Sequence, residues 1–277
     1  MCRMISQNGE IDLITDLFPE LENVKQLQFS VEQKTLVNAN AFQSADVIVR
    51  HKERLLLGEM EWGVHPIFET DKTAFHRRRL SMVNARQEKL LDPDSFWHNQ
   101  GLVKNPVLIP ATRIYEHRHI DTWSSHVPYA INTNHQPEEE YFYIPGIYQV
   151  YETIQPNGQR IKVSGFAMIT TEANQTMRYI HNHGENKHRM PLFVPLEMAK
   201  QWVSPTRTFG DFKAIINYRL PAEDLSYYTV HTLTGRQQRP DGKLKDAAWT
   251  WPGLPPLGND QPIDISKVFI TNLQKAG

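Results

Sequence analysis

The chain has 277 residues, of which 40% are hydrophobic and 22% charged, a composition typical of one large or two small globular domains. Its formal net charge of -1 argues against a strongly basic nucleic-acid coat protein, and its single cysteine excludes an intramolecular disulfide and a multi-cysteine zinc site. No stretch has the pattern of a secretory signal or a membrane span, so we expect a reducing, cytoplasmic setting and no membrane.

The first half of the chain predicts several short strands. Residues 11–28 are mixed, and Pro19 breaks any long helix there. Further along, apolar patterns indicate two strands within 44–60 around a polar turn, a strand end running into a helix at 81–91, and strand, turn, strand at 106–116.

The second half continues this pattern. The aromatic stretch 141–151 favours a strand interrupted by Pro145-Gly146, and 161–171 favours a central strand. A short helix is predicted at 193–203, a late strand at 226–234, and a last strand or helix at 263–273. Many short strands with few helices favour an α+β fold built on antiparallel sheet.

Cys2 follows Met1 directly, and it provides the only thiol. If Met1 is removed, Cys2 carries a free α-amine beside its thiol; the amine can attack an aldehyde, and the sulfur can then close a five-membered ring. The α-amine titrates near pH ~8 and a free thiol near ~8.5, so both have a reactive fraction at neutral pH. The alternative is a chance cysteine in a frayed terminus.

Two internal stretches carry groups that could serve such chemistry. In the segment 84–88, Asn84 could hold a carbonyl or hydroxyl while Arg86 fixes a phosphate. Glu116 follows an apolar strand, where desolvation would favour a general acid. The alternatives are a helix cap with a surface arginine and an edge-strand glutamate in solvent.

Histidines and a tryptophan provide further candidates. His181 could shuttle protons near neutral pH, or it could be a loop histidine. A metal site of His181, His183 and His188 is conceivable, although the intervening loop imposes no ligand geometry. Trp62 with the basic run 76–79 could stack on an unpaired base while the arginines neutralise phosphates, or the run could be a solvated face.

These stretches, in this order, resemble the SRAP (SOS response-associated peptidase) family, whose members begin Met-Cys. The resemblance covers roughly residues 1–235, which leaves 236–277 as a Pro-rich C-terminal extension, packed on the domain or trailing from it. The family's W-G-[LI]-x-P, N-A-R-x-E, L-I-P-A-x-x-F-Y-E, A-G-L-W, T-T-x-A-N and I-H-x-R-M-P segments correspond to 62–66, 84–88, 108–116, 145–148, 170–174 and 180–191.

The resemblance implies a barrel-like, mostly antiparallel core with flanking helices and a groove for DNA. It also implies an enzyme that removes its own Met1, binds single-stranded DNA and forms a covalent thiazolidine with abasic sites, with a lyase-like reversal. No cofactor or metal is implied. We expect a monomer in the cytoplasm, associated with the nucleoid when it acts on DNA.

Site residues are carried over by motif position. Cys2 would be the nucleophile, Asn84 would orient the ring or the sugar hydroxyl, Glu116 would be the acid/base of the Schiff-base stage, and His181 the proton shuttle. Trp62 would stack on or wedge beside a base. The arginines assigned to DNA binding are Arg77, Arg78, Arg86 and Arg189.

The chain departs from the family pattern at several positions. Arg3 stands where the family has glycine, His117 and Tyr148 replace tryptophans, and an insertion separates His181 from Arg189, so His188 is an alternative catalytic histidine. Two other functions stay open: a module that binds single-stranded or modified DNA without chemistry, and an N-terminal-nucleophile amidohydrolase. The latter needs an Arg and an Asn-Gly pair that we do not find.

Overall fold

The computed structural model describes residues 2–23, 34–69, 71–134, 141–154, 158–234 and 238–261. Within these ranges no helix is both long and apolar enough to cross a membrane. The strands are β1 Met4–Gln7, β2 Leu21–Asn23, β3 Lys34–Asn38, β4 Ser44–His51, β5 Arg54–Trp62, β6 Asn84–Arg86, β7 Pro106–Ala111, β8 Arg113–Arg118, β9 Val127–Thr133, β10 Phe142–Ile154, β11 Arg160–Glu172, β12 Arg189–Pro191 and β13 Leu225–Thr229. The helices are α1 Ile11–Leu17, α2 Lys72–Ser81, α3 Gln87–Leu90, α4 Phe96–Asn99, α5 Gln175–Ile180, α6 Leu196–Trp202 and α7 Phe209–Ile216.

Five strands close into a barrel in the order β11-β10-β7-β4-β5, and a parallel pairing of β5 with β11 completes the ring. The other four pairings are antiparallel. Closure depends on Gly165, because a Cβ there would lie 2.4 Å from the carbonyl oxygen of Gly63. The expected barrel-like, mostly antiparallel α+β fold is therefore confirmed.

A second sheet of five strands, ordered β13-β9-β8-β1-β3, lies beside the barrel and carries the N-terminus. Strand β1 is central to it, because Ile5 pairs with Val37 of β3 on one side and with Ile114 of β8 on the other. One buried apolar cluster contains residues of both the barrel and this sheet, and Cys2 belongs to it. The first residues are thus tied into the core.

Most of the predicted elements are present. The 44–60 stretch forms the β4–β5 hairpin, with Lys52 in the left-handed region (φ 56°) at its turn. Strand β6 runs directly into α3, and β7 and β8 flank a short turn, as the patterns at 81–91 and 106–116 indicated. The prediction for 263–273 lies outside the described residues.

The predicted interruption of 141–151 is wrong, because β10 runs through Pro145 and Gly146 without a break. Pro145 pairs only with β7, since the pairing with β11 begins at Gly146. A missing N–H is therefore tolerated at that point. Gly146 is required by close packing, because a Cβ there would lie 2.8 Å from the Ala167 carbonyl oxygen.

The described part of the extension, 238–261, follows the edge of the second sheet. The Trp249 N–H donates to the Thr229 carbonyl (2.8 Å), and Ala248 forms a bridge with Val230. The Trp251 indole donates to the Val230 carbonyl (3.0 Å). This segment packs on the domain without a helix or strand of its own; the boundary at 235/236 stays a prediction.

Candidate active site around Cys2

Cys2 is fully buried at the entrance to β1. Its carbonyl accepts a hydrogen bond from Asn84 Nδ2 (2.9 Å), and its Sγ lies 3.5 Å from the Met4 carbonyl oxygen. Because β1 pairs antiparallel with β8 through Ile5 and Ile114, the register carried back two or three residues brings Cys2 towards Glu116. The N-terminus is therefore held in one place by both backbone and side-chain contacts.

The Cys2 thiol is held in its protonated form. Burial raises its pKa well above the usual range, and the negative charge of Glu116 raises it further. At neutral pH the sulfur is therefore a thiol, and a reaction in which it forms a bond must transfer its proton to a neighbouring group.

Asn84 is buried at the start of β6, where the parallel pairing with Met168 of β11 fixes its backbone. Its Nδ2 holds the Cys2 carbonyl, while its Oδ1 is buried and has no hydrogen-bond partner among the described residues. An amide oxygen with no partner beside the reactive terminus can accept a hydrogen bond from an amine or a sugar hydroxyl. The role expected for Asn84, orienting the ring or the sugar hydroxyl, stays a prediction.

Glu116 is only 5% exposed, although it is a carboxylate. It lies on the same face of β8 as Ile114 and Arg118, opposite Tyr129 of β9. Its Oε1 is buried and has no hydrogen-bond partner in the described part of the chain. A buried carboxylate is costly unless it is paired, and such groups are concentrated at sites that exchange protons.

His181 ends α5, a helix that packs against β8. Its Nδ1 donates to the Arg189 carbonyl (2.9 Å), which makes Nε2 the proton-accepting nitrogen of the neutral ring. The pKa of His117 is lowered mainly by burial; the charge of Glu116 opposes this shift and that of His181 adds to it, so both groups act electrostatically on His117. The structure thus gathers Cys2, Asn84, Glu116 and His181 around one end of β8.

His188 is joined to His181 through its backbone but is less buried. Its backbone is left-handed (φ 62°), and its N–H donates to the His181 carbonyl (2.9 Å), so its role is to turn the chain after the insertion. Burial and the nearby charges of Arg178 and Lys187 lower its pKa. The geometry therefore favours His181 over His188 as the histidine of the site.

The suggested metal site is not formed. His183 groups instead with His119 and His126, at ring-centroid distances of 4.6 and 5.3 Å. Across the described ranges, no three His, Cys, Asp or Glu side chains are arranged to hold a metal ion.

A basic cleft of 570 Å³ adjoins the site, and Asn84 forms part of its wall. Two predicted DNA-binding residues, Arg77 and Arg86, line it, together with Arg3 and Lys89, which the sequence motifs did not indicate. Lys89 follows Arg86 by three residues, across the junction of β6 and α3. This spacing is a sequence signal that could have identified Lys89 as a neighbour of Arg86. The cleft therefore combines four cations with one carboxylate, Glu185, next to the residue that holds Cys2.

The assignment of Trp62 to base stacking is corrected by the structure. Its side chain is 0% exposed, its indole donates to the Val83 carbonyl (2.8 Å), and its ring stacks on Phe166 at 5.8 Å. No face of the ring is open to a base. Trp62 is a core residue at the end of β5, where the barrel closes.

The arginines are not equivalent. Arg189 makes a bidentate pair with Glu88 (3.0 Å for each bond) and donates to the Thr170 carbonyl, so it fastens β12 to α3 and β11 rather than facing DNA. Arg78 is exposed on α2 with its guanidinium over Phe68, outside the cleft lining. Arg79 points inward and pairs with Glu61, so the basic run 76–79 contributes only Arg77 to the cleft.

Comparison with known proteins finds a family model and curated relatives that are similar to most of the chain. The family model described as SOS response associated peptidase (SRAP) matches residues 1–237. Two curated relatives from Bacillus subtilis (strain 168) are similar over most of their length. Abasic site processing protein YoaM is 25% identical, covering 89% of this chain and 98% of its own, and abasic site processing protein YoqW is 27% identical, covering 84% and 93%.

Solved structures support the fold. A protein from Bacteroides thetaiotaomicron superposes with a TM-score of 0.66 at 22% identity, covering 83% of this chain and 92% of its own. A protein from Bordetella bronchiseptica gives 0.62 at 16% identity, covering 83% and 100%. At these identities the likeness shows a shared architecture.

Proposed function

Because the chain belongs to the SOS response-associated peptidase family, we propose that it processes abasic sites in single-stranded DNA by forming a covalent link through Cys2. The curated relatives are named for abasic-site processing. The observation that carries the proposal is the burial of Cys2 beside Glu116, with its carbonyl held by Asn84.

Removal of Met1 is the first step of the proposed mechanism. Hydrolysis of the Met1–Cys2 peptide bond consumes one water, releases methionine and frees the Cys2 α-amine. Asn84 holds the Cys2 carbonyl, so the new terminus stays in place after cleavage. Glu116 is the nearby carboxylate that can take a proton from the attacking water.

The freed amine then attacks the aldehyde of the ring-opened abasic sugar. Addition gives a carbinolamine, and loss of water gives an imine. The departing hydroxyl needs a proton, and Glu116 can return the one that it took from the water of the first step. The unpartnered Oδ1 of Asn84 can accept a hydrogen bond from the amine or a sugar hydroxyl during these steps.

Ring closure completes the link. The Cys2 sulfur bonds to the imine carbon while the S–H proton is transferred, through Glu116 or His181, to the imine nitrogen. The product is a thiazolidine, and the overall reaction releases one water from amine, thiol and aldehyde. The raised pKa of the thiol makes a proton acceptor at this step necessary.

A denaturing gel tests the proposal. Processed protein is incubated with a single-stranded oligonucleotide that carries one abasic site. A heat-stable shifted band is expected for this strand and not for an intact one. If fully processed protein gives no such band while still binding the strand under native conditions, the chain is a non-catalytic DNA-binding module.

The choice between the two histidines gives a first prediction. His181→Asn keeps a side-chain donor for the Arg189 carbonyl but removes the titratable ring, so crosslinking should slow by about 10²-fold. His188→Asn is the matched control, because asparagine tolerates the left-handed backbone found there. Single-turnover rates of the two variants check the assignment; slowing only in the His188 variant would reverse it.

The basic cleft gives a second prediction. Arg77→Gln and Arg86→Gln should each weaken binding to a single strand and lower the slope of log affinity against log salt by about 0.7 for each phosphate that the variant no longer neutralises. Arg54→Gln is the control, since Arg54 is an exposed arginine paired with Glu22 outside the cleft. Titrations at several salt concentrations measure the slopes; three equal slopes would remove the cleft from the DNA path.

A further inference from the structure

Arg118 is an unusual residue for a buried face, because it is a cation with 0% exposure. Its guanidinium donates to three backbone carbonyls of the C-terminal extension, at 2.9, 2.8 and 2.7 Å, and also to the Asp260 carboxylate (3.0 Å) and the Tyr129 hydroxyl (3.3 Å). The three carbonyls are those of Pro255, Pro256 and Asn259. The extension therefore supplies most of the partners that make this burial tolerable.

Arg118 also lies beside the proposed proton-exchanging residue. Glu116 and Arg118 are two residues apart on β8, so their side chains share one face with backbones roughly 7 Å apart. Both pair across to β9, where Tyr129 lies opposite Glu116 and brings no competing charge. A long arginine side chain can span such a distance, and the Oε1 of Glu116 is without a partner among the described residues.

Asp260 also connects the extension to the loop that follows His181. The second oxygen of Asp260 accepts from Asn182 Nδ2 (3.0 Å). The Asn182 side chain in turn makes two hydrogen bonds to the backbone of His119: it accepts from the N–H (2.8 Å) and donates to the carbonyl (2.9 Å). Since Asn182 follows His181 directly, Asp260 links the extension to the loop that carries the proposed proton shuttle.

We propose that the C-terminal extension is a working part of the active site, because its carbonyls and Asp260 hold the Arg118 guanidinium away from Glu116 and keep Glu116 able to exchange protons. The inference rests on the proposed function of Glu116. Arg118 and Asp260 are positioning residues, which act on the reaction through Glu116 and Asn182. The family model ends at residue 237, so this assignment concerns a part of the chain beyond it.

Asp260 and Glu116 compete for one buried cation, the Arg118 guanidinium. Without Asp260 the buried guanidinium keeps its carbonyl partners but loses the negative charge that compensates it, and a nearby carboxylate then becomes the favoured partner. Glu116 has an oxygen without a partner in the described part of the chain and lies on the same strand face, so we expect Arg118 to form an ion pair with Glu116 when Asp260 is removed. A carboxylate held in such a pair is kept ionised and can no longer donate a proton to the departing hydroxyl.

The test uses the full chain and the abasic-site crosslinking assay. Asp260→Ala should slow crosslinking by about tenfold, a modest part of what loss of a general acid costs. Adding Arg118→Met to that variant should restore most of the rate, because the competing cation is gone. Arg118→Met alone leaves the extension's carbonyls without their donor and should lower the melting temperature without raising the rate.

Asp241→Ala is the matched control, because Asp241 is another carboxylate of the extension that pairs with a buried arginine, Arg239. It should lower stability without slowing the crosslinking of the folded protein. Arg118→Gln replaces Arg118→Met if the methionine variant does not fold.

The outcomes separate the inference from the proposed function. If wild-type protein gives no covalent band, the proposed function fails. If the wild type crosslinks and Asp260→Ala is as fast, or if it is slow and neither neutral residue at 118 restores the rate, the role of the extension is contradicted.

Discussion

Cys2→Ser is expected to abolish the heat-stable adduct with an abasic strand while leaving non-covalent binding to the strand unchanged. Serine keeps the α-amine, so an imine can still form, but a hydroxyl is a weak nucleophile without an activating base and does not close the ring as sulfur does. An imine hydrolyses readily, and the link should be lost on heating. The serine side chain also fits the buried position, so the fold should be retained.

A second variant separates the amine from the thiol. Insertion of one alanine between Met1 and Cys2 leaves the thiol in the chain but places its amine in a peptide bond after processing. This variant should also give no heat-stable adduct. A stable adduct in either variant would mean that the link does not require the aminothiol of Cys2.

Glu116→Gln is expected to slow crosslinking by about 10²-fold or more, the usual contribution of a positioned general acid–base. The amide has nearly the same shape but cannot donate or accept the transferred proton. The unfolding free energy should be unchanged or higher, because a neutral amide costs less to bury than a carboxylate with an unpartnered oxygen. Single-turnover crosslinking and thermal melts measure the two effects.

The control for this variant is Glu152→Gln, which makes the same charge change at an exposed position on barrel strand β10. It should crosslink at the wild-type rate. Wild-type kinetics in Glu116→Gln, or equal slowing in both variants, would remove Glu116 from the proton transfers.

The groups gathered around β8 could be selected from the sequence because each lies in a short motif of fixed order. Cys2, Asn84, Glu116 and His181 are far apart along the chain. The pairing of β1 with β8 brings Cys2 towards Glu116, whereas Asn84, fixed by the pairing of β6 with β11, reaches Cys2 through its side chain. The fourth enters through α5, which packs against β8.

Residues whose role depends on side-chain direction were harder to predict. Trp62 and Arg189 occupy motif positions, but one fills the core and the other fastens three elements. Arg3 stands where the family has glycine and so gave no signal, although it lines the basic cleft. A motif marks a position as important without distinguishing packing from contact with a ligand.

The sequence of helix α2 does not show which of its arginines face inward. Its sequence, KTAFHRRRLS, is dominated by charge and lacks an apolar stripe, so the basic run predicts either phosphate-binding arginines or a solvated face but no direction for each side chain. The helix begins where the Asp71 side chain accepts from the Ala74 N–H (2.7 Å). Its geometry then turns Arg77 outward and Arg79 inward, a difference that the run of like residues could not reveal.

The contacts of the extension could not be predicted from the sequence either. Five prolines in 236–262 indicated an ordered or wrapping tail but gave no partner for it. The partner is Arg118, two positions after a motif residue, and the attachment uses backbone carbonyls, which carry no side-chain signature.

The most direct test of the account is the mass of the N-terminal peptide after reaction with an abasic strand and digestion of both protein and DNA. We predict a peptide that begins at Cys2, lacks Met1, and carries the sugar remnant at the summed mass of peptide and aldehyde less one water. The remnant on a lysine, or on a peptide that still begins with Met1, would contradict the central claim that the Cys2 aminothiol forms the link.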